Sequence, residues 1–149
     1  LAKALGNGVP IGALLAKDAV ASHFKPGDHG STFGGNPLVC AAAFATMQAI
    51  EDENILTNVN EMGSYFEEKL VAFKEKYDFI LDVRGKGLLL GMELAMKGAD
   101  IVAKCMEKGV IINCTHDTVL RFLPPLNVTS AEIDKAVAVM DEVFQTIEA

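Results

Sequence analysis

The residue near the start of this sequence that is best suited to chemistry is Lys3, which stands between Ala2 and Ala4 and ahead of several glycines. An apolar setting removes hydration from a lysine, and desolvation lowers the pKa of its amine. The neutral amine is the form that attacks a carbonyl carbon to make a Schiff base. Lys3 is therefore a candidate nucleophile, and the alternative is an ordinary surface lysine.

Two hydroxyl residues, Ser31 and Thr32, precede Gly34 and Gly35 and the Asn36–Pro37 start of a helix. Hydroxyl groups and the free N–H groups of a helix start can converge on an anion. The segment is therefore a candidate anion-binding site. The alternative is that both hydroxyls serve only the turn and the helix cap.

Arg121 lies inside an otherwise apolar segment, residues 119–123. If this segment is a strand with alternating faces, Arg121 shares a face with Val119 and Leu123. A guanidinium held there can grip a carboxylate with two parallel hydrogen bonds. A structural salt bridge or an outward-facing arginine is the alternative.

The remaining chemical patterns are weak. Two glycine sets have the spacing GxGxxxG without the Lys-Ser/Thr pair of a phosphate loop, and we interpret them as turns and strand contacts: Gly6, Gly8 and Gly12, and Gly85, Gly87 and Gly91. The histidines show no metal-ligand spacing, so the sequence predicts no metal site: His23, His29 and His116. No Ser-His-Asp or Cys-His catalytic set can be assembled.

Composition indicates a soluble globular protein, since half of the 149 residues are hydrophobic and 22% are charged. The net charge of −7 and the lack of clustered basic residues argue against a nucleic-acid partner. No apolar run is long enough to span a membrane, and residues 1–6 do not resemble a signal peptide. Three cysteines without CxxC spacing favour the reducing cytoplasm. The first residue is leucine, so we expect the chain to be part of a longer protein.

Apolar periodicity and capping signals place these residues on a predicted series of elements. Helices are predicted over 37–53, 60–77 and 99–108 and from Thr129 onward, where Glu132 completes a capping box. Strands are predicted over 10–16, 79–84, 88–94, 110–114 and 119–123. The α–β–β–α–β–β–α order after residue 55 indicates a compact α+β unit.

Four segments together resemble the class III pyridoxal-phosphate aminotransferases. Residues 1–13 look like the segment that carries the Schiff-base lysine, and residues 29–38 (HGSTFGGNPL) are similar to a second hallmark of that family. Residues 83–91 (VRGKGLLLG) resemble a third, and residues 120–128 (LRFLPPLNV) resemble the carboxylate-binding segment of the acetylornithine branch. The four follow in the family's order.

The resemblance implies pyridoxal 5'-phosphate as the cofactor and a role for each matching residue. Lys3 matches the lysine that holds the cofactor and later moves a proton between substrate and cofactor. Thr32, next to Ser31, matches the residue that contacts the cofactor phosphate from the neighbouring subunit. Arg121 matches the arginine that binds the substrate α-carboxylate. Asn7 stands where relatives usually have a third glycine, and Asn tolerates a left-handed backbone.

The family resemblance implies an α/β fold, the C-terminal portion of a fold-type I pyridoxal-phosphate-dependent transferase. Residues 1–48 would be the end of the large cofactor-binding domain, and residues 49–149 the small α+β domain. The family's aspartate that pairs with the ring nitrogen, its ring-stacking aromatic and its Gly-Ser/Thr phosphate turn have no match in this chain. We therefore expect the isolated chain to be inactive.

For the longer protein, the resemblance implies amino transfer from N2-acetylornithine to 2-oxoglutarate in arginine biosynthesis. It also implies a cytoplasmic homodimer with shared active sites that acts on small amino acids and 2-oxo acids. Ornithine, succinylornithine and 4-aminobutyrate remain alternative amino donors, and an aminomutase is disfavoured because residues 29–35 match the transaminase form. An inactive fragment with only an interaction role is the other alternative.

Overall fold

The computed structural model describes residues 1–147, which form parts of two compact units, Leu1–Asn54 and Ile55–Ala149. No helix within the described residues is long and apolar enough to cross a membrane. The two units differ sharply in how much they bury, and each is described by itself.

The first unit contains a one-turn 3₁₀ helix, Lys3–Gly6, and two α-helices, α1 (Asp18–Ala21) and α2 (Pro37–Asp52). Helix α2 confirms the predicted start, because the Asn36 side chain accepts a hydrogen bond from the Val39 N–H at 3.2 Å. Neither the 3₁₀ turn nor α1 was predicted. Both span only four residues, which is too short for an apolar periodicity to show.

The predicted strand over residues 10–16 is wrong, because no residue of the first unit lies in a strand. The backbone of this segment pairs with another segment at one residue only: the Leu1 amino group donates to the Ala13 carbonyl at 2.7 Å, and the Ala13 N–H donates to the Leu1 carbonyl at 2.9 Å. A strand needs a continuous partner for its backbone groups, and this unit supplies none. Leu14 and Leu15 are consequently exposed.

The second unit alternates helices and strands in the predicted order. Its elements are α3 (Ile55–Lys76), β1 (Ile80–Lys86), β2 (Leu89–Leu94), α4 (Ala99–Glu107), β3 (Asn113–Thr115), β4 (Val119–Phe122) and α5 (Ser130–Gln145). The strands form an antiparallel sheet in the order β1-β2-β4-β3. The α+β prediction for this region is thereby confirmed.

One face of the sheet forms the core with the helices. Alternate residues of β2 and β4 point into it, among them Leu90, Met92, Leu120 and Phe122. From α3, α5 and the segment after α3 come the other large buried side chains, which include Phe66, Leu70, Phe73, Tyr77, Ile133, Met140 and Phe144. The spacing of these residues agrees with the apolar periodicity from which the two helices were predicted. Three of the aromatic rings, Phe73, Phe79 and Tyr77, surround Phe144 at centroid distances of 5.2 to 5.5 Å.

Three boundaries differ from the prediction by two residues or more. Helix α3 begins at Ile55 rather than near residue 60, because Asn54 in a left-handed conformation (φ +52°) is enough to separate it from α2. Strand β3 covers only Asn113–Thr115, because the Val110 N–H donates a hydrogen bond to the Cys105 carbonyl at the end of α4. Strand β1 continues through Gly85 to Lys86, so the hairpin turn is shorter than expected.

The capping box of α5 is confirmed. The Thr129 N–H donates to Glu132 Oε2 at 2.8 Å, and the Glu132 N–H donates to Thr129 Oγ1 at 3.4 Å. The hydrogen bond from the Thr129 backbone, and then that from its hydroxyl, lowers the pKa of Glu132 below its ordinary value.

Candidate active site

Lys3 has an unusual backbone. Its φ is +58°, in the left-handed region that residues other than Gly, Asn and Asp rarely adopt. Residues held in such conformations cluster at functional sites, because the surrounding structure must oppose their strain. The side chain is exposed, so the desolvated setting expected from the sequence is absent in this chain. The neighbouring Ala2 and Ala4 are themselves exposed and too small to cover the amine.

A series of short turns holds Lys3 in this conformation. The Leu5 and Asn7 N–H groups donate to the Ala2 and Ala4 carbonyls at 3.3 and 3.0 Å, and these bonds close the 3₁₀ turn. Asn7 ends the turn with φ +46°, so the residue that replaces a family glycine does adopt the left-handed backbone expected of it. The chemical consequence is a primary amine on a fixed backbone, accessible from outside.

Ser31 and Thr32 lie in an exposed turn directly before α2. The Gly34 N–H donates to the Ser31 carbonyl at 3.3 Å, and a methyl group on Gly34 would lie 2.9 Å from Ser31 Cβ. The Asn36 side chain is engaged at both ends, since its amide donates to the Phe33 carbonyl at 2.8 Å while its oxygen caps α2. The turn therefore presents both hydroxyls to the surroundings beside a helix start.

Arg121 lies in β4 on the face of the sheet that is not part of the core. Leu120 and Phe122 point into the core, so Arg121 is exposed on the opposite face, as the predicted alternation required. In register it stands opposite Gly91 of β2 and Asn113 of β3. Among residues 1–147, no carboxylate forms an ion pair with Arg121. Its guanidinium is available for an external anion.

A second arginine on the same face is already neutralised. Arg84 Nη1 lies 2.9 Å from Asp82 Oδ2 and 2.7 Å from Glu93 Oε2. The hydrogen bond to Asp82, and then that to Glu93, raises the pKa of Arg84. Sequence analysis did not find this cluster, because it depends on the pairing of β1 with β2.

Asn58 is a further positioning residue that sequence analysis missed. From α3 its side-chain amide donates to the carbonyl oxygens of Leu126 and Val128, at 2.8 and 3.1 Å. These two bonds fix the segment that follows β4, and with it the end of the strand that carries Arg121. A single asparagine in a helix gives no sequence signal for such a contact.

Several glycines of the two sets serve turns and strand contacts, as the sequence indicated. Gly87 has φ +54° in the β1–β2 turn, and a methyl group on Gly85 would lie 2.8 Å from Leu90 Cα. Gly8 likewise has a positive φ of +107°. Within the described residues, no group of three or more His, Cys, Asp and Glu side chains could hold a metal ion.

The structure thus distributes the candidate residues over both units. Lys3, Ser31 and Thr32 belong to the first unit, and Arg121 belongs to the second. The first set offers an amine and hydroxyl groups, which suit an aldehyde and a phosphate. The second offers a cation that suits a carboxylate.

Known proteins resemble this chain over nearly its whole length. An acetylornithine aminotransferase from Methanocaldococcus jannaschii is 55% identical over 148 residues, which is 99% of this chain and 37% of that protein. One from Clostridium acetobutylicum is 52% identical over 143 residues, 95% of this chain and 37% of that protein. The chain therefore spans little more than a third of the length of these relatives.

Solved structures agree with the sequence relatives. An ornithine aminotransferase from Toxoplasma gondii superposes with a TM-score of 0.90 at 36% identity, covering 99% of this chain and 36% of that one. An acetylornithine aminotransferase from Elizabethkingia anophelis gives 0.89 at 33% identity, covering 97% and 39%. Both confirm the expected fold class. The family described as aminotransferase class-III matches residues 1–144, and the chain belongs to that family.

Proposed function

We propose that the protein containing this chain transfers the amino group of N2-acetylornithine to 2-oxoglutarate, giving N-acetylglutamate semialdehyde and glutamate. The observation that carries the reaction type is Lys3, an exposed amine on a left-handed backbone within the segment that resembles the family's lysine segment. The choice of donor is supported by relatives at 55% and 52% identity that bear this name. The reaction would serve arginine biosynthesis in the cytoplasm.

Pyridoxal 5'-phosphate fits the residues that are present. Lys3 Nζ would hold its aldehyde carbon, and the exposed hydroxyls of Ser31 and Thr32 would donate to its phosphate. When bound, the cofactor supplies an electron-withdrawing ring that stabilises negative charge on the substrate carbon. A Toxoplasma gondii ornithine aminotransferase similar to this chain has been crystallised with partial occupancy of pyridoxal 5'-phosphate at its active site.

The chain's own residues then have two tasks. Lys3 Nζ would act as general base and general acid, taking a proton from the substrate carbon that bears the amine and later giving it up. Arg121 binds the α-carboxylate through paired hydrogen bonds and so orients the reacting carbon.

The test of the reaction compares amino donors on the full-length protein. N2-acetylornithine, ornithine, succinylornithine and 4-aminobutyrate are assayed separately with 2-oxoglutarate. We expect the highest kcat/KM for N2-acetylornithine, and a higher value for another donor would replace it as the substrate. Lys3→Ala is expected to abolish turnover and the absorbance of lysine-bound cofactor. Persistence of that absorbance would contradict the role of Lys3.

We further propose a homodimer in which Thr32 of each subunit contacts the cofactor held by Lys3 of its partner. Mixed dimers of Lys3→Ala and Thr32→Ala subunits test this arrangement. If the sites are shared, one site per mixed dimer collects both defects and the other is intact, so activity exceeds that of either parent variant. If each site is built from one subunit, mixing restores nothing.

For the isolated chain, an interaction role without catalysis is the second candidate. The observation that favours it is the exposed apolar surface of the first unit, where Leu14 is 83% and Phe33 is 80% accessible. Surface of this kind associates with other protein surface. Sedimentation of the 149-residue chain should show self-association without any transaminase activity, and a monomer over a wide concentration range would contradict this role.

A further inference from the structure

The outer face of the sheet carries a row of residues in direct register. Arg84 of β1 stands opposite Gly91 of β2, and Gly91 stands opposite Arg121 of β4. Neighbouring strands lie about 4.8 Å apart, so the two arginines start about 10 Å from each other on the same face. Glycine has no side chain, and nothing from Gly91 itself separates them.

Glu93 is placed symmetrically between the two arginines. It stands opposite Asp82 on one side and opposite Val119 on the other, two residues from Arg84 and from Arg121 respectively. Such diagonal neighbours in an antiparallel sheet are about 7–8 Å apart, within reach of long side chains. The Glu93 carboxylate can therefore pair with either arginine.

In the structure Glu93 pairs with Arg84. The 2.7 Å contact of Glu93 Oε2 with Arg84 Nη1 is reinforced by Asp82 Oδ2, which contacts the same nitrogen at 2.9 Å. Asp82 and Glu93 are directly opposed like charges, and such pairs repel unless a cation lies between them. Arg84 supplies that cation.

We propose that Arg84 is a positioning residue for Arg121: it holds the Glu93 carboxylate on its own side of Gly91, and so leaves the Arg121 guanidinium free for the substrate carboxylate. This inference rests on the proposed role of Arg121. Without Arg84, repulsion from Asp82 turns Glu93 towards Arg121, where it competes with the substrate for the guanidinium.

The test uses the full-length enzyme with N2-acetylornithine and 2-oxoglutarate as substrates. Arg84→Met removes the cation and keeps most of the side-chain length. Arg84 is half exposed, so its replacement leaves the fold intact. We expect KM to rise about two- to fivefold, the effect of one competing exposed ion pair, with kcat within about twofold of the parent.

The double variant Arg84→Met/Glu93→Gln separates positioning from other roles. Since the amide no longer competes for Arg121, KM should return to the parent value. A KM that stays raised in the double variant, or that does not rise in Arg84→Met, overturns the inference. Lys108→Met, which breaks the exposed Lys108–Glu142 pair between α4 and α5, is the matched control and should leave KM unchanged.

Failure of the proposed function gives a different result. If Arg121→Ala leaves KM unchanged for both substrates, Arg121 does not bind the carboxylate, and the proposed roles of Arg121 and of Arg84 are both wrong. If Arg121→Ala raises KM while Arg84→Met does not, only the positioning role of Arg84 falls.

Discussion

Gly63 of α3 faces the β1–β2 turn so closely that a single methyl group would disturb the second unit. A Cβ built on Gly63 would lie 2.6 Å from the Gly87 carbonyl carbon and 2.7 Å from its Cα. These atoms belong to the backbone of a residue with φ +54°, so no side chain can rotate away to make room. The Gly63→Ala substitution must push the helix and the hairpin apart.

The expected loss in the free energy of unfolding is the difference between two opposing effects of Gly63→Ala. Overpacking of a well-packed site costs about 1–3 kcal/mol, and rigid backbone contacts place this site in the upper part of that range. Alanine regains about 1 kcal/mol over glycine in a helix. The free energy of unfolding should therefore fall by about 1–2 kcal/mol. With a urea m-value of about 1 kcal/mol per M, the midpoint falls by about 1–2 M.

Tyrosine fluorescence during urea unfolding of the 149-residue chain is the assay. The chain has no tryptophan, and its two tyrosines, Tyr65 and Tyr77, both lie in the second unit, so the signal reports that unit alone. Ser64→Ala is the matched control, since this exposed neighbour gains helix propensity without a contact. An unchanged or higher midpoint for Gly63→Ala would refute the reasoning.

Three further substitutions or reagents probe other parts of the second unit. Because hydrogen bonds from Thr129 lower the pKa of Glu132, their stabilisation is present above the ordinary value of 4.5 and lost as the pH falls through the lowered one. Thermal unfolding should therefore show Glu132→Gln less stable than the parent at pH 7 and equal to it near about pH 2. Tyr77→Phe removes a 2.7 Å bond to Asp141 from a residue only 1% exposed, and urea unfolding followed by circular dichroism should show a loss of about 1–2 kcal/mol. Burial raises the pKa of the Cys105 thiol, so a thiol reagent should modify exposed Cys40 at once and Cys105 only as the chain unfolds.

The sequence predicted best what depends on near neighbours along the chain. The Asn36 and Thr129 caps and the apolar periodicity of the helices all follow from residues within one or two helical turns. The alternation that exposes Arg121 is of the same kind. Each of these patterns specifies a local conformation, and the fold preserves it.

Features that depend on distant residues could not be predicted in this way. The approach of Gly63 to Gly87 and the hydrogen bonds of Asn58 join segments that are far apart in the sequence. Likewise, the left-handed backbone of Lys3 follows from a set of turns that apolar periodicity in the sequence does not indicate. The incorrect strand over residues 10–16 has the same origin, because its apolar residues lack a pairing partner that only the fold could have supplied.

The segment from Arg84 to Gly91 shows how fold and site share the same residues. The sequence indicated two strands joined by a glycine turn here, and in the resulting hairpin each glycine is present for a different reason. A Cβ on Gly85 would collide with Leu90, and Gly87 adopts a positive φ in the turn that packs against Gly63. Gly91 puts no side chain between Arg84 and Arg121. A Cβ on Gly91 would make only ordinary contacts, at 3.4 Å with Val119 Cγ1 and at 3.8 and 3.9 Å with the carbonyl oxygens of Arg84 and Leu120, so packing of a methyl group does not by itself require glycine there. Backbone contacts require glycine at position 85, and the positive φ favours it at position 87, whereas neither reason applies to Gly91.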